Sequence, residues 1–290
     1  MGSSKILIVG VKIRHFFLIL SLNFENMTVK DILNCITEVA PLHWQESYDN
    51  AGLQVGDLNA EAHKALICLD ITEEIVDEAI AKNCNVIVSH HPLIFHGLKH
   101  LTPQTYIERA VMKAVKHDIA MISMHTNLDN SYLGVSRVLA ERLGLNNLHL
   151  LQPSEMEPEL CGAGMIGEFV NPMEEVDFLN LVAETIGSPC LRHSALMGRK
   201  IQKVALCGGA GVPFMQDALR QKVDAYLTAD IKYHDFFVPE GNILLVDGGH
   251  FETEQFTKEL ICELIRKKFP TFAAEIAETK TNSVHYFVKK

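Results

Sequence analysis

The sequence predicts an α/β protein built from two similar three-layer domains with largely parallel sheets. Three observations carry this. Short apolar runs alternate with amphipathic stretches from Lys64 onward, and the same alternation starts again near Gly164. The chain is also long enough, at 290 residues with 48% hydrophobic content, to bury two cores. Strands alternating with helices of this length indicate parallel sheets covered by helices.

Taken in order, Thr28 is placed to cap an amphipathic helix over Val29 to Val39. Ala65 to Leu69 reads as a strand, Glu73 to Lys82 as a helix and Val86 to Ser89 as a strand. A helix from about Thr105 to His117, a strand at Ile119 to Ser123 and a helix from Tyr132 to Leu143 follow, the last stopped by Gly144. Asn146 to Glu159, interrupted by Pro153 and Pro158, reads as an inter-domain connection. The second unit has a strand at Gly164 to Val170, a helix at Met173 to Ile186 and a strand near Leu191. Strands at Val204 to Cys207, Ala225 to Thr228 and Ile243 to Val246 follow, with a helix at Pro213 to Gln221 between the first two. Phe256 to Phe269 is a strong amphipathic helix, and Ser283 to Val288 alternates like an edge strand. The unit Val204 to Asp235 mirrors Leu66 to His96, as an internal duplication would. The expected boundaries are 27–150 and 151–248 for the two domains, with 249–290 a helix and strand returning to the functional site. Residues 1–26 are expected to lie outside the fold.

Composition excludes several classes of function. The net charge of -10, without a basic stripe, argues against a nucleic-acid partner. Lys5 to Leu22 is apolar but broken by Lys12, Arg14 and His15, so it makes a poor membrane span, and no small-residue cleavage site follows it. The seven cysteines have no CxxC spacing, and several lie in strand-like runs. That pattern fits buried thiols in a reducing cytoplasm rather than a disulfide framework.

The polar residues gather after the strands, where ligands bind in α/β sheets. Asp70 follows the first of these strands, His90 and His91 the second, and His125, Asn127 and Asp129 the third. Pro92 holds His91 extended, so the two adjacent imidazoles splay around one small volume. Asp247-Gly-Gly-His250 follows Ile243 to Val246, and Glu254 comes one helical turn after His250, a spacing at which both share a face. Three imidazoles (His90, His91, His250) and two carboxylates (Asp129, Glu254) exceed the needs of one tetrahedral ion and suit two ions, which in hydrolytic sites lie roughly 3.5–4 Å apart. For any one of these residues alone, capping a helix or satisfying buried backbone is the simpler reading.

The same segments carry a resemblance. Tyr48-Asp-Asn-Ala-Gly-Leu-Gln-Val-Gly56, Ser89-His-His-Pro-Leu-Ile-Phe95, His125-Thr-Asn-Leu-Asp129 and Gly249-His-Phe-Glu-Thr-Glu254 occur in the order in which they occur in the Nif-three-like family, the GTP cyclohydrolase I type-two-like proteins. The chain resembles that family from about Met27 to Lys290, in its compact form without an inserted domain. The resemblance implies a dinuclear metal centre on His90, His91, Asp129, His250 and Glu254, and a ring-shaped homohexamer with the metal sites facing an internal cavity.

Other polar clusters have two readings each. Cys207-Gly-Gly-Ala-Gly211 after a strand would present the N–H groups of Gly209 and Gly211 to a phosphate, or serve tight packing alone. Lys232 and His234, in Thr228-Ala-Asp-Ile-Lys-Tyr-His-Asp235, are either substrate-phosphate contacts or members of a solvated loop. His125 is assigned a catalytic role beside the ions, positioning Asp129 or a water. Asp49 and Asn50 default to turn formers, and Ser89 has no visible triad partner. His63, His117, His149, His193 and His285 read as ordinary surface or core histidines.

The expected function is a cytoplasmic metal-dependent hydrolase carrying two divalent ions (zinc, iron, manganese or nickel) and acting on a small molecule. The resemblance implies GTP or a related purine nucleotide, opened at its imidazole ring with release of formate. Two rivals stand beside it: a two-metal phosphoesterase, and a metal-binding ring that serves as a scaffold or regulator without turnover.

Overall fold

The computed structural model of the chain describes residues 27–287, so the expectation for residues 1–26 falls outside the described part. Its strands form two sheets. The first has the order β1-β4-β3-β2-β11, from Gly52–Val55 (β1), Lys64–Cys68 (β2), Val86–Ser89 (β3), Ala120–Ser123 (β4) and Ala273–Ile276 (β11). The second runs β5-β6-β8-β9-β10-β7, from Asn146–Pro153 (β5), Gly162–Met173 (β6), Arg192–His193 (β7), Ile201–Leu206 (β8), Ala225–Thr228 (β9) and Leu244–Asp247 (β10).

In the first sheet β11, β2, β3 and β4 run parallel and only β1 is antiparallel. Successive residues of a strand point to opposite faces, and the packing follows that rule. Ala65 and Ile67 face Ile32 and Ile36 of the helix Val29–Thr37 and Ile261 and Ile265 of the helix Thr257–Lys268. Leu66 and Cys68 face Ile75 and Val76 of the helix Glu73–Ala81 and Ala110 and Val111 of the helix Tyr106–Lys116. Thr28, Thr72 and Thr105 cap three of these helices by accepting from the backbone N–H three residues on, which satisfies donors the helix leaves open.

The second sheet has a parallel core, β8-β9-β10, flanked by antiparallel β6, β5 and β7. Val204, Leu227 and Val246 pack on Phe178 and Val182 of the helix Glu175–Ile186, and Ala205, Tyr226 and Leu245 on Met215 and Ala218 of the helix Met215–Arg220. Each sheet is therefore the middle of three layers.

Two expectations need correction. The stretch read as a connection contains β5, paired antiparallel with β6. Pro153 misled the reading, but it ends an edge strand, where its missing N–H costs no ladder bond. Ser283–Val288 is not an edge strand over its described part: Val284 and Phe287 are exposed and unpaired, and Val288 lies outside the described residues. The edge is formed earlier by β11, which pairs with β2 and brings the chain's last segment back to the first sheet. All seven cysteines are free thiols, and only Cys190 is exposed. Among the described residues, no helix is long and apolar enough to cross a membrane.

Candidate metal centre

The carboxyl ends of strands from both sheets meet at one point. His90 and His91 leave β3, and their N–H groups donate to the carbonyls of Cys68 (3.3 Å) and Leu69 (2.9 Å) at the end of β2. Asp129 ends the one-turn helix Thr126–Asp129 after β4. His250 and Glu254 open and close the short helix His250–Glu254 after β10. Asp247 shapes that entry, accepting from Gly249 N (3.0 Å) and from Ile231 N (3.1 Å) and so tying the loops after β9 and β10 together.

Glu254 Oε2 is the hub. It lies 2.9 Å from His91 Nε2, 3.0 Å from His250 Nε2 and 3.7 Å from His90 Nε2. His250 Nε2 and His91 Nε2 face each other at 3.3 Å, and His90 Nε2 is 3.5 Å from Asp129 Oδ1. These last two atoms are buried and have no hydrogen-bond partner. Buried polar atoms without partners are costly and call for an explanation. A cation between them is the simplest one, because His90 is fully buried and its Nδ1–H is already given to the Met124 carbonyl at 2.8 Å.

The other rings are fixed in the same way. His91 Nδ1 donates to Asp70 Oδ1 (2.7 Å), and His250 Nδ1 to Asp230 Oδ2 (2.8 Å). With each Nδ1–H committed, each Nε2 lone pair is turned inward, which is how metal-ligating histidines are held. All five predicted ligands thus converge, and their mixed nitrogen and oxygen donors fit divalent transition ions.

Charge supports the same assignment. Burial opposes a proton on His91, but the Asp70 and Glu254 carboxylates overcome it and lift the imidazole to about 10. His250, likewise buried, is raised to about 11 by Asp230 and Glu254. Glu254 is buried too, yet the surrounding imidazoles hold its carboxyl well below the usual range. Asp129 moves the other way, raised by burial. The pocket therefore demands positive charge next to Glu254, from protons or from cations.

His125 sits at the rim of this cluster, its ring 5.4 Å from that of His90 and 5.5 Å from that of His91. Its Nδ1 donates to Asp49 Oδ1 at 2.7 Å, and Asp49 Oδ2 also takes the Thr126 N–H (3.0 Å) and hydroxyl. Although Asp49 is buried, these bonds hold its carboxyl down at about 2. Asp49 is thus more than a turn former: it fixes both His125 and the start of the helix that carries Asp129.

The sequence reading placed Asp70, Asp230 and Asp49 near strand ends but did not pair them with histidines. The signal that could have done so was their position beside the same strand ends as the ligands. Lys232 and His234 lie exposed on the turn after β9, with His234 against the rings of Tyr233 and Phe237. Asp230, two residues before Lys232, is the member of that cluster that reaches the centre.

The glycine turn has a different use from the expected one. The N–H groups of Gly208, Gly209 and Gly211 donate to the hydroxyls of Ser136 (3.3 Å), Thr253 (3.0 Å) and Thr228 (2.8 Å). A phosphate would have to displace them. Gly209 has a φ of +61°, and a Cβ there would fall 2.0 Å from Glu254 Oε1. The missing side chain is the space that Glu254 occupies.

Residues 27–283 match the Duf34/NIF3 (NGG1p interacting factor 3) family. A "GTP cyclohydrolase 1 type 2 homolog" of Clostridium acetobutylicum is 33% identical over 232 residues, covering 79% of this chain and 86% of that one. A protein of the same name from Clostridium perfringens is 31% identical over 265 residues, covering 90% of this chain and 100% of that one. The crystal structure of a Staphylococcus aureus hypothetical protein superposes with a TM-score of 0.84 at 28% identity, covering 91% of this chain and 100% of that one. The chain belongs to the Duf34/NIF3 family.

Proposed function

We propose that this protein is a metal-dependent hydrolase in which His90, His91, Asp129, His250 and Glu254 hold two divalent transition-metal ions, with Glu254 between them. The buried, partnerless pair His90 Nε2 and Asp129 Oδ1 is the observation that carries this reading. Two donor groups separate around Glu254: His91 with His250 on one side, His90 with Asp129 on the other. Divalent ions so held supply water activated near neutral pH and polarise the atom under attack.

The chain's own residues do the rest. Asp70, Asp230 and the Met124 carbonyl lock the three ligand rings. His125 lines the adjoining cavity and, with its Nδ1–H on Asp49, has its other nitrogen free to take a proton from water or return one to a leaving group. The relatives' names favour a purine nucleotide, GTP included, or a related small molecule as substrate. The family description, an interacting factor, favours the rival reading of a metal-binding scaffold.

Elemental analysis of the purified protein should give about two metals per chain, and the double variant His91→Ala with Glu254→Ala should lose most of them. Metal-loaded protein should then release formate or phosphate from a panel of nucleotides and phosphoesters, and chelation should stop it. A double variant with full metal content refutes the ligand set. A loaded wild type no faster than a metal-only blank across the panel favours the scaffold.

A further inference from the structure

The cavity beside the centre has a charge balance that selects its occupant. Its volume is about 560 Å³, and besides the metal ligands its walls include Glu46, Tyr48, Asn130, Gln152 and Phe214. Among the described residues, no lysine or arginine lines it. A second cavity of about 420 Å³ shares Glu46, Asn130, Gln152 and Phe214 with the first and adds Glu155 and Glu157. It too lacks lysine and arginine among the described residues, and its one imidazole, His43, already meets Glu157 at 3.4 Å. The approach and the chamber are both lined with carboxylates.

Behind the chamber, Asp49, Asp70, Asp129, Asp230 and Glu254 surround the centre. Their combined negative charge exceeds the four positive charges of two divalent ions. A triphosphate entering here meets like charges where little solvent screens them. Phosphate sites are built from arginine, lysine and free backbone N–H groups. The one turn of that kind in the chamber commits its N–H groups to Ser136, Thr253 and Thr228.

What the walls do offer suits a flat, uncharged ring. The aromatic faces of Tyr48 and Phe214 flank the amides of Asn130 and Gln152 and the Glu46 carboxylate. Glu46 Oε1 accepts from Asn130 Nδ2 at 3.1 Å, and the side chain remains exposed to the chamber. An ionised carboxylate accepts two parallel N–H bonds from a planar donor pair, as it does from guanidinium. A volume of this size takes one small ligand.

We propose that this chamber binds an uncharged planar nitrogen heterocycle with adjacent N–H donors, a purine base or nucleoside of the guanine type, and selects against its phosphorylated forms. The inference rests on the hydrolytic reading for what becomes of the ligand, while the binding order itself needs no turnover.

The test is calorimetric titration of the full-length, metal-loaded protein with guanosine, GMP and GTP, with metal content measured on each sample. Guanosine should bind at least about tenfold more tightly than GTP at low salt, with GMP between, and the gap should narrow as salt rises. Glu46→Gln should weaken guanosine about tenfold and leave GTP no worse. Glu46→Lys should shrink or invert the gap. GTP binding as tightly as guanosine, or no guanosine binding at all, overturns the proposal. The expected binding order without turnover would fail the hydrolase alone, whereas turnover with the opposite order would fail this inference alone.

Discussion

Replacing Gly209 with alanine separates two uses of the glycine turn. At φ +61° an alanine incurs the left-handed backbone cost of about 1–2 kcal/mol. Its Cβ would also stand 2.0 Å from Glu254 Oε1 and 2.9 Å from Glu254 Cδ. To regain ordinary contact the carboxylate must retreat by more than about 1 Å, away from the imidazoles that share Oε2. A glutamate tip moves readily, so the collision should register in the metal site more than in the fold. Gly187 provides the control, because it has φ +65° and a Cβ there would meet nothing within 4 Å. Gly187→Ala and Gly209→Ala should therefore lose similar stability by calorimetry. Only Gly209→Ala should lose metal affinity, by at least about 10–100-fold, the range seen when partners of ligands are disturbed. Competition against a chromophoric chelator reads this directly. If Gly209→Ala keeps wild-type metal affinity and instead loses nucleotide binding, the turn is an anion cradle and the assignment of Gly209 to Glu254 is wrong.

Three further outcomes are expected. Because His91 and His250 keep their protons up to about 10 and about 11, metal binding must displace both, so affinity should fall by up to about 100-fold per pH unit of acidification across the neutral range. Titration in buffers of different ionisation enthalpy should report close to two protons released per centre, and none would contradict the charge assignment. His125→Ala should keep most of its metal at saturation but lose much of its hydrolytic rate, whereas Asp129→Asn should lose metal itself; equal metal loss in both would make His125 a ligand. Light scattering should show a homo-oligomer, with a hexamer expected, and the exposed Tyr233 and Phe237 offer apolar surface for such contacts; a clean monomer at micromolar concentration would refute it.

The parallel strands are legible in the sequence because each is a short apolar run, buried on both faces and ended by a polar turn, as in β3 and β9. The ligands are legible for the same reason: they stand where those runs stop, and His250 and Glu254 share a helical face. β5 is hidden because only Leu150 and Leu151 of its eight residues are buried. β11 is hidden because Ala274 alone is buried in it. The pairings that fix the rings are hidden by distance along the chain. Asp70 and His91 are 21 residues apart, Asp230 and His250 20, and Asp49 and His125 76, so only the folded backbone brings them together. Gly209 reads as a phosphate turn until Glu254 is seen filling its missing side chain.

Anomalous scattering from crystals of the metal-loaded protein tests the central claim most directly. Two ion peaks roughly 3.5–4 Å apart are expected, one against His91 and His250, the other against His90 and Asp129, with Glu254 touching both. A single ion, or ions bound elsewhere while these five side chains keep the positions described, would contradict the dinuclear centre.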